Sequence, residues 1–214
     1  MTKLQLAIDL VPLDDLERVV RPLLPLIDVV EAGTPLIKRH GLNAVRSLRT
    51  LAPDHFLVAD MKTMDAGALE AEMAFGAGAD LMTVLACASD ATISAAVDVA
   101  RQYGKSVVAD LIGVPDKPAR ARQLVDLGVE WLGIHTGTDD QAAGANPLAD
   151  LEAVREAVDA QIVVAGGINA RTLPSILASS PAIVIVGSGI LGQPNPAAAA
   201  TTLRAILDQG QGLS

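Results

Sequence analysis

The sequence predicts an α/β fold, a single-domain (β/α)8 TIM barrel over residues 1–214, on three observations. Short runs of Val, Ile, Leu and Ala alternate with amphipathic or Ala-rich stretches eight times along the chain. Half of the residues are hydrophobic but only 2% are aromatic, so the core is aliphatic and suits buried parallel strands with small-residue helices packed on them. Polar residues recur at one end of the runs, as Asp9, Glu31, Asp60, Asp110 and His135, and barrel enzymes assemble their sites at the C-terminal ends of strands. A doubly wound open sheet is the alternative, and the count of eight favours closure.

Leu4 to Asp9 reads as the first strand, followed by a helix from Asp14 to Leu24 that Pro25 ends. Val29 to Glu31 is a short second strand closed by Ala32-Gly33-Thr34-Pro35, and Gly41 to Leu51 is helical. Phe56 to Lys62 is the third strand with its helix from Asp65 to Gly76, and Leu81 to Ala86 the fourth with Ala91 to Tyr103. Ser106 to Ile112 and Pro118 to Leu127 form the fifth unit, Trp131 to His135 and Pro147 to Val158 the sixth. Ile162 to Ala165 with Arg171 to Leu177, then Ile183 to Val186 with Pro196 to Leu207, complete the eight. No Ser/Pro-rich tract separates them into domains.

A net charge of −9 argues against nucleic acid or an anionic membrane as partner, so an anionic substrate needs local cations or backbone N–H groups. The single cysteine, Cys87, excludes an intrachain disulfide, and no Cys/His cluster offers a zinc site. Lys3 and Asp9 interrupt the opening segment, so no signal peptide or membrane-length apolar run is expected, and the location expected is cytoplasmic.

The stretch Ala59-Asp60-Met61-Lys62-Thr63-Met64-Asp65-Ala66-Gly67 sets three charged side chains within six residues at the end of an apolar run. On a strand, alternation sends Asp60 and Lys62 to one face and Met61 to the other. Alone, D-x-K reads as a solvated ion pair of little energetic consequence. In phase with Glu31, Asp110 and His135 it faces a shared space, where unpaired charges are costly, so partners or a metal are implied. Lys62 could form a Schiff base, which needs a free amine; flanking Asp60 and Asp65 favour the ammonium and hence an electrostatic, hydrogen-bonding role. Asp65 is alternatively a helix N-cap. His135 is the histidine in phase with the acids and the expected proton-transfer base, whereas His40 and His55, on expected loops, are read as structural. Cys87, Tyr103 and Trp131 are read as packing residues.

Ala165-Gly166-Gly167-Ile168 and Val186-Gly187-Ser188-Gly189-Ile190 end strands seven and eight in glycines, which let backbone amides approach a ligand. Barrels commonly hold phosphate there, so Gly166, Gly167, Gly187 and Ser188 are the expected phosphate-binding residues. Each motif alone is equally a tight turn.

Four segments then carry a resemblance: Leu4-Gln5-Leu6-Ala7-Ile8-Asp9, Glu31-Ala32-Gly33-Thr34-Pro35-Leu36-Ile37, the block from Ala59 to Gly67, and His135-Thr136-Gly137-Thr138-Asp139 with Gln141. Together they resemble the 3-hexulose-6-phosphate synthase family of the orotidine 5′-monophosphate decarboxylase superfamily, which also holds 3-keto-L-gulonate-6-phosphate decarboxylase. The resemblance runs in order over nearly the whole chain, and D-x-K-T-x-D-x-G is its most specific block. It implies an aldol reaction joining formaldehyde to D-ribulose 5-phosphate through an enediolate held on Mg²⁺, as in the ribulose monophosphate pathway. Glu31 and Asp60 match the metal ligands, and a hard, oxygen-only pair with room for water suits Mg²⁺. Lys62 and His135 match catalytic positions, Asp110 the acid partner at the end of the fifth strand, and Asp9 a residue bonding Lys62 or a substrate hydroxyl. The matching aspartate for Asp65 reaches into the neighbouring subunit's site, which implies a homodimer. The decarboxylase has arginines where this chain has Thr138 and Ser188, which favours the synthase. A phosphosugar-binding barrel without catalysis is the remaining alternative.

Overall fold

The computed structural model describes residues 1–211. Eight strands pair in chain order and β8 returns to β1, giving a closed barrel. They are β1 (Lys3–Ile8), β2 (Val29–Ala32), β3 (Phe56–Thr63), β4 (Leu81–Leu85), β5 (Ser106–Asp110), β6 (Trp131–His135), β7 (Gln161–Ala165) and β8 (Ile183–Val186). All the pairings are parallel, and closure rests on Lys3 to Leu6 lying beside Ile183 to Val186.

Strand alternation divides the core into two shells. Leu4, Leu6, Ile8, Val30, Leu57, Met82, Val107, Leu132, Val164 and Val184 join the layer shared with the helices. Val29, Val58, Leu81, Val108, Val163 and Ile183 fill the interior, with Trp131 packed against them. This aliphatic plug closes the barrel from below, as expected of a packed barrel rather than a pore. It leaves the upper interior positions of the same strands to polar residues.

The helices are α1 (Leu16–Val20), α2 (Thr34–His40), α3 (Asn43–Leu51), α4 (Gly67–Gly76), α5 (Asp90–Tyr103), α6 (Lys117–Asp126), α7 (Thr138–Ala142), α8 (Leu148–Ala157), α9 (Leu173–Leu177), α10 (Ser188–Leu191) and α11 (Pro196–Gln211). The expected helix from Asp14 to Leu24 is instead α1 flanked by 3-10 turns at Leu13–Asp15 and Arg21–Leu26, because Pro22 and Pro25 remove the amides an α-helix needs. Pro25 lies inside the second turn and does not end it. Three short helices, α2, α7 and α10, stand in segments outside the helices that the sequence predicts. His40 is accordingly the last residue of α2, not a loop residue. The strand ends read as Asp9, Ala86 and Ile112 lie just past β1, β4 and β5, in the βα loops.

Two expected packing residues are not buried: Cys87 is exposed, and Tyr103 is 48% exposed, its ring centroid 5.7 Å from that of Phe75. Helix α4 begins at Gly67, with left-handed Ala66 before it and no side-chain cap. Among the described residues Asp65 accepts a hydrogen bond only from the next amide, Ala66, so it is not the N-cap. Among the described residues, no helix is long and apolar enough to cross a membrane.

Candidate active site

A cavity of about 760 Å³ opens at the C-terminal end of the barrel. Asp9, Glu31, Asp60, Lys62, Asp110 and His135 all line it, together with Gly166, Gly167, Gly187 and Ser188. Of the residues expected from sequence, only Asp65 is absent from its wall, and Asp65 is exposed.

Asp60 and Lys62 share a face as alternation requires, but the strand is not regular between them. The β3–β4 register runs Ala59↔Met82 and then Thr63↔Val84, so β3 carries extra residues in a bulge. Lys62 sits in that bulge at φ 47°, a left-handed backbone that is costly for a residue with a Cβ. Such strain persists where the surroundings over-determine it, and it concentrates at functional sites. Here the surroundings are bonds: the Lys62 amide donates to Thr83 Oγ1 at 2.9 Å, and Nζ donates to both Asp60 oxygens at 2.8 and 2.9 Å.

Lys62 Nζ also lies 3.2 Å from Asp110 Oδ2, and His135 Nδ1 lies 3.1 Å from that same oxygen. The backbone amide of Ile112 donates to the other Asp110 oxygen at 3.0 Å. With Nδ1–H engaged on Asp110, His135 presents Nε2 as its basic nitrogen. A chain of charge-assisted contacts thus runs from Asp60 through Lys62 and Asp110 to His135. The second acid holding Lys62 is Asp110, from β5, and not the sequence neighbour Asp65. Asp9 makes no ion pair with Lys62 among the described residues, so of its two expected partners the structure gives no Lys62 bond; its carboxylate lies beside Gly33 and Gly187.

Burial acts differently on each group. It would pull the Lys62 ammonium down, but the charges of Asp60, Asp110 and Glu31 with the hydrogen bonds to Asp60 outweigh it and raise its pKa. The ammonium form of Lys62 is thus favoured over the free amine that a Schiff base needs. Burial would raise Asp110 as well, yet the His135 bond and the Lys62 charge hold it below the usual carboxylate range. For Glu31, burial and the Asp60 charge prevail over the Gln5 hydrogen bond and push it up to about 8. Burial, then the Asp60 charge, raises Asp9 too.

Three polar partners here were not singled out in the sequence. Gln5 donates to Glu31 Oε2 at 2.5 Å, Thr83 to Asp60 Oδ1 at 2.7 Å, and Thr34 lies 2.7 Å from Asp60 Oδ2. Gln5 in a run of Leu and Ile, and Thr83 in Leu-Met-Thr-Val-Leu, were visible as polar interruptions at inward positions.

Glu31 and Asp60 supply only oxygens, and no protein group bonds Glu31 Oε1 among the described residues. No group of three or more His, Cys, Asp or Glu side chains is arranged to hold an ion among those residues. Both Asp60 oxygens are engaged by Lys62, Thr34 and Thr83, so Glu31 Oε1 is the open position of the pair. Oxygen-only ligands of this kind suit a hard cation that keeps several waters, and they do not suit zinc.

At the opposite wall, Gly166 and Gly167 have φ of 110° and 66°, and a Cβ on Gly166 would stand 2.6 Å from the Thr136 carbonyl oxygen. Glycine is thus required at position 166 by both conformation and space. Asn169 Nδ2 and Thr172 Oγ1 lie 3.0 and 3.1 Å from the Gly167 carbonyl oxygen and hold the turn. The amides of Gly166, Gly167 and Ser188 donate to no protein acceptor among the described residues, so they are open to an anion. Among the described residues no arginine lines the cavity, whereas Thr138 and Ser188 do.

Comparison with known proteins concerns the chain as a whole. The 3-hexulose-6-phosphate synthase of Mycobacterium gastri is 42% identical over 205 residues, covering 96% of this chain and 99% of the relative. The crystal structure of 3-hexulose-6-phosphate synthase from Salmonella typhimurium superposes with a TM-score of 0.95 at 39% identity, over 98% of this chain and 100% of that one. A 3-keto-L-gulonate-6-phosphate decarboxylase from Vibrio cholerae follows at a TM-score of 0.84 and 31% identity, over 97% and 98%. The model of the orotidine 5′-phosphate decarboxylase / HUMPS family matches residues 2–203. A closed barrel that the family model matches over almost all of its length, with full-length relatives at about 40% identity, fixes the family: the chain belongs to the orotidine 5′-phosphate decarboxylase / HUMPS family.

Proposed function

We propose that the chain is a Mg²⁺-dependent aldehyde-lyase that adds formaldehyde to D-ribulose 5-phosphate, giving D-arabino-hex-3-ulose 6-phosphate in a reversible aldol reaction. The observation that carries this reading is the Lys62 ammonium held between Asp60 and Asp110, with His135 on the same Asp110 oxygen. It brings a fixed cation and a proton acceptor to one cavity.

The phosphate sits on the amides of Gly166, Gly167, Gly187 and Ser188, which orients the sugar along the cavity. His135 Nε2 takes a proton from C1, the carbon next to the carbonyl. Negative charge then spreads over the C1–C2 enediolate oxygens, where Lys62 stabilises it from a site already organised by Asp60 and Asp110. C1 attacks the formaldehyde carbon, a C–C bond forms, and the formaldehyde oxygen receives the proton that the His135 imidazolium returns. Asp110 keeps the imidazole oriented throughout. Asp9 binds a substrate hydroxyl. Glu31 and Asp60 would hold Mg²⁺, which supplies Lewis-acid charge to adjacent substrate oxygens when bound.

The relatives that are named synthases support this reading over the decarboxylase, as does a cavity wall with Thr138 and Ser188 where the decarboxylase resemblance calls for arginine. A homodimer is part of the proposal. Asp65 is exposed outside its own cavity, and Met64, Leu69 and Met73 beside it are 53%, 57% and 44% exposed, an apolar face suited to a second copy. An exposed free thiol at Cys87 fits a reducing cytoplasm.

Purified protein with ribulose 5-phosphate and Mg²⁺ should consume formaldehyde, and EDTA should stop it. No consumption, with CO₂ released from 3-keto-L-gulonate 6-phosphate, would overturn the proposal in favour of the decarboxylase.

A further inference from the structure

We infer that Thr83 is a positioning residue whose hydroxyl sets the geometry of the Asp60–Lys62 pair. The inference rests on reading the cavity as the reaction site. Thr83 points into the interior from β4, between the inward Leu81 below it and the open cavity above, and is only 8% exposed. A valine would fill the same space, and the other strands do carry apolar side chains at neighbouring inward positions, such as Val58 and Val108. The hydroxyl is therefore present for its bonds.

Those bonds are fully specified. Oγ1 has one proton, given to Asp60 Oδ1 at 2.7 Å, and it accepts the Lys62 amide at 2.9 Å. Lys62 Nζ returns to Asp60 at 2.9 and 2.8 Å. Thr83, the Asp60 carboxylate, the Lys62 side chain and the Lys62 amide thus close a ring across the β3–β4 gap. The ring spans the register break, in which Ala59↔Met82 gives way to Thr63↔Val84, and it takes up an amide that the bulge leaves without a ladder partner. It also locks Lys62 at φ 47°.

Removing the hydroxyl opens the ring at two places. The Lys62 backbone is then free to leave the left-handed region, which carries Nζ away from the developing charge. The phosphate-binding turns after β7 and β8 are untouched, so the loss falls on kcat and not on substrate capture.

The test compares Thr83→Val with Thr83→Ser by formaldehyde-consumption kinetics, melting temperature and crystal structure. Thr83→Val should lower kcat by about 10- to 100-fold while KM for ribulose 5-phosphate changes less than about threefold. Thr83→Ser, which keeps the hydroxyl, should retain kcat within about threefold. In the Thr83→Val crystal structure the Lys62 backbone should have left the left-handed region. A Thr83→Val enzyme with wild-type kcat, or a Thr83→Ser enzyme equally impaired, would overturn the inference. A wild type that consumes no formaldehyde would sink the proposed function alone. The crystal structures then decide this point, and an unmoved Lys62 and Asp60 in Thr83→Val would refute it.

Discussion

Carboxylates stand at both ends of this barrel and are treated in opposite ways. At the N-terminal end, Asp80, just before β4, accepts bonds from Arg49, from Lys105 at 2.5 Å and from the Leu57 amide at 2.9 Å. Arg49 also donates to the carbonyl oxygens of Pro53, His55 and Gly78, which ties the entry of β3 to that of β4. One acid there meets two cations, and although burial would raise its pKa, the bonds from Lys105, Leu57 and Arg49 hold it below the usual range. At the C-terminal end, Asp9, Glu31, Asp60 and Asp110 share one cavity with Lys62 and His135. There acids outnumber cations, and Glu31 and Asp9 are pushed up. Charge that only joins strands is neutralised within the fold, whereas charge left in excess waits for a ligand.

Substitutions at the two ends should separate activity from stability. The largest effect is expected at Lys62: Lys62→Ala should lower kcat by about 10²- to 10³-fold, read by formaldehyde consumption, while the far-ultraviolet circular dichroism stays that of a folded barrel. Loss of fold along with activity would erase the distinction between the ends.

Asp80→Asn should do the reverse. It leaves Arg49 and Lys105 without their acid and should cost about 2–3 kcal/mol in denaturant unfolding, with kcat unchanged. The sign with pH follows from its lowered pKa. Asp80 contributes stability above the unfolded value of 3.8, lost as pH falls through the folded value, so the variant should show a shallower loss of stability in acid. A catalytic defect in Asp80→Asn would break the contrast.

The smallest effect is a pH slope. Glu31 is raised from 4.5 to about 8, so in metal-free protein its ionisation opposes folding progressively between those values. The metal-free melting temperature should decline as pH rises through that window and level off above it. Glu31→Gln should remove most of the decline and leave a remainder from Asp9. Calorimetry with EDTA present measures both; parallel curves for the two proteins would show that Glu31 is not the strained acid.

Much of this was legible in the sequence because it depends on period alone. Aliphatic runs repeated eight times, and Glu31, Asp60, Lys62, Asp110 and His135 kept phase with them, so the barrel and the cavity wall followed from alternation. What depended on register across strands did not follow. The bulge at Lys62, the ring through Thr83 and the sharing of Lys62 between Asp60 and Asp110 are set by how β3 meets β4 and β5, and threonine in a strand otherwise passes for a packing residue. Asp65 flanks Lys62 in sequence, whereas strand pairing brings Asp110 to Lys62 in space. Helix α2 escaped although Thr34-Pro35 opens it and Gly41 closes it, the proline-in, glycine-out order of a short helix.

The most direct test of the account is formaldehyde consumption by Asp60→Ala with ribulose 5-phosphate and Mg²⁺. Asp60 joins Lys62, Thr34 and Thr83 and is one of the two proposed metal ligands, so the account predicts no detectable turnover in a protein that remains folded. A folded Asp60→Ala variant that consumes formaldehyde at the wild-type rate would contradict it.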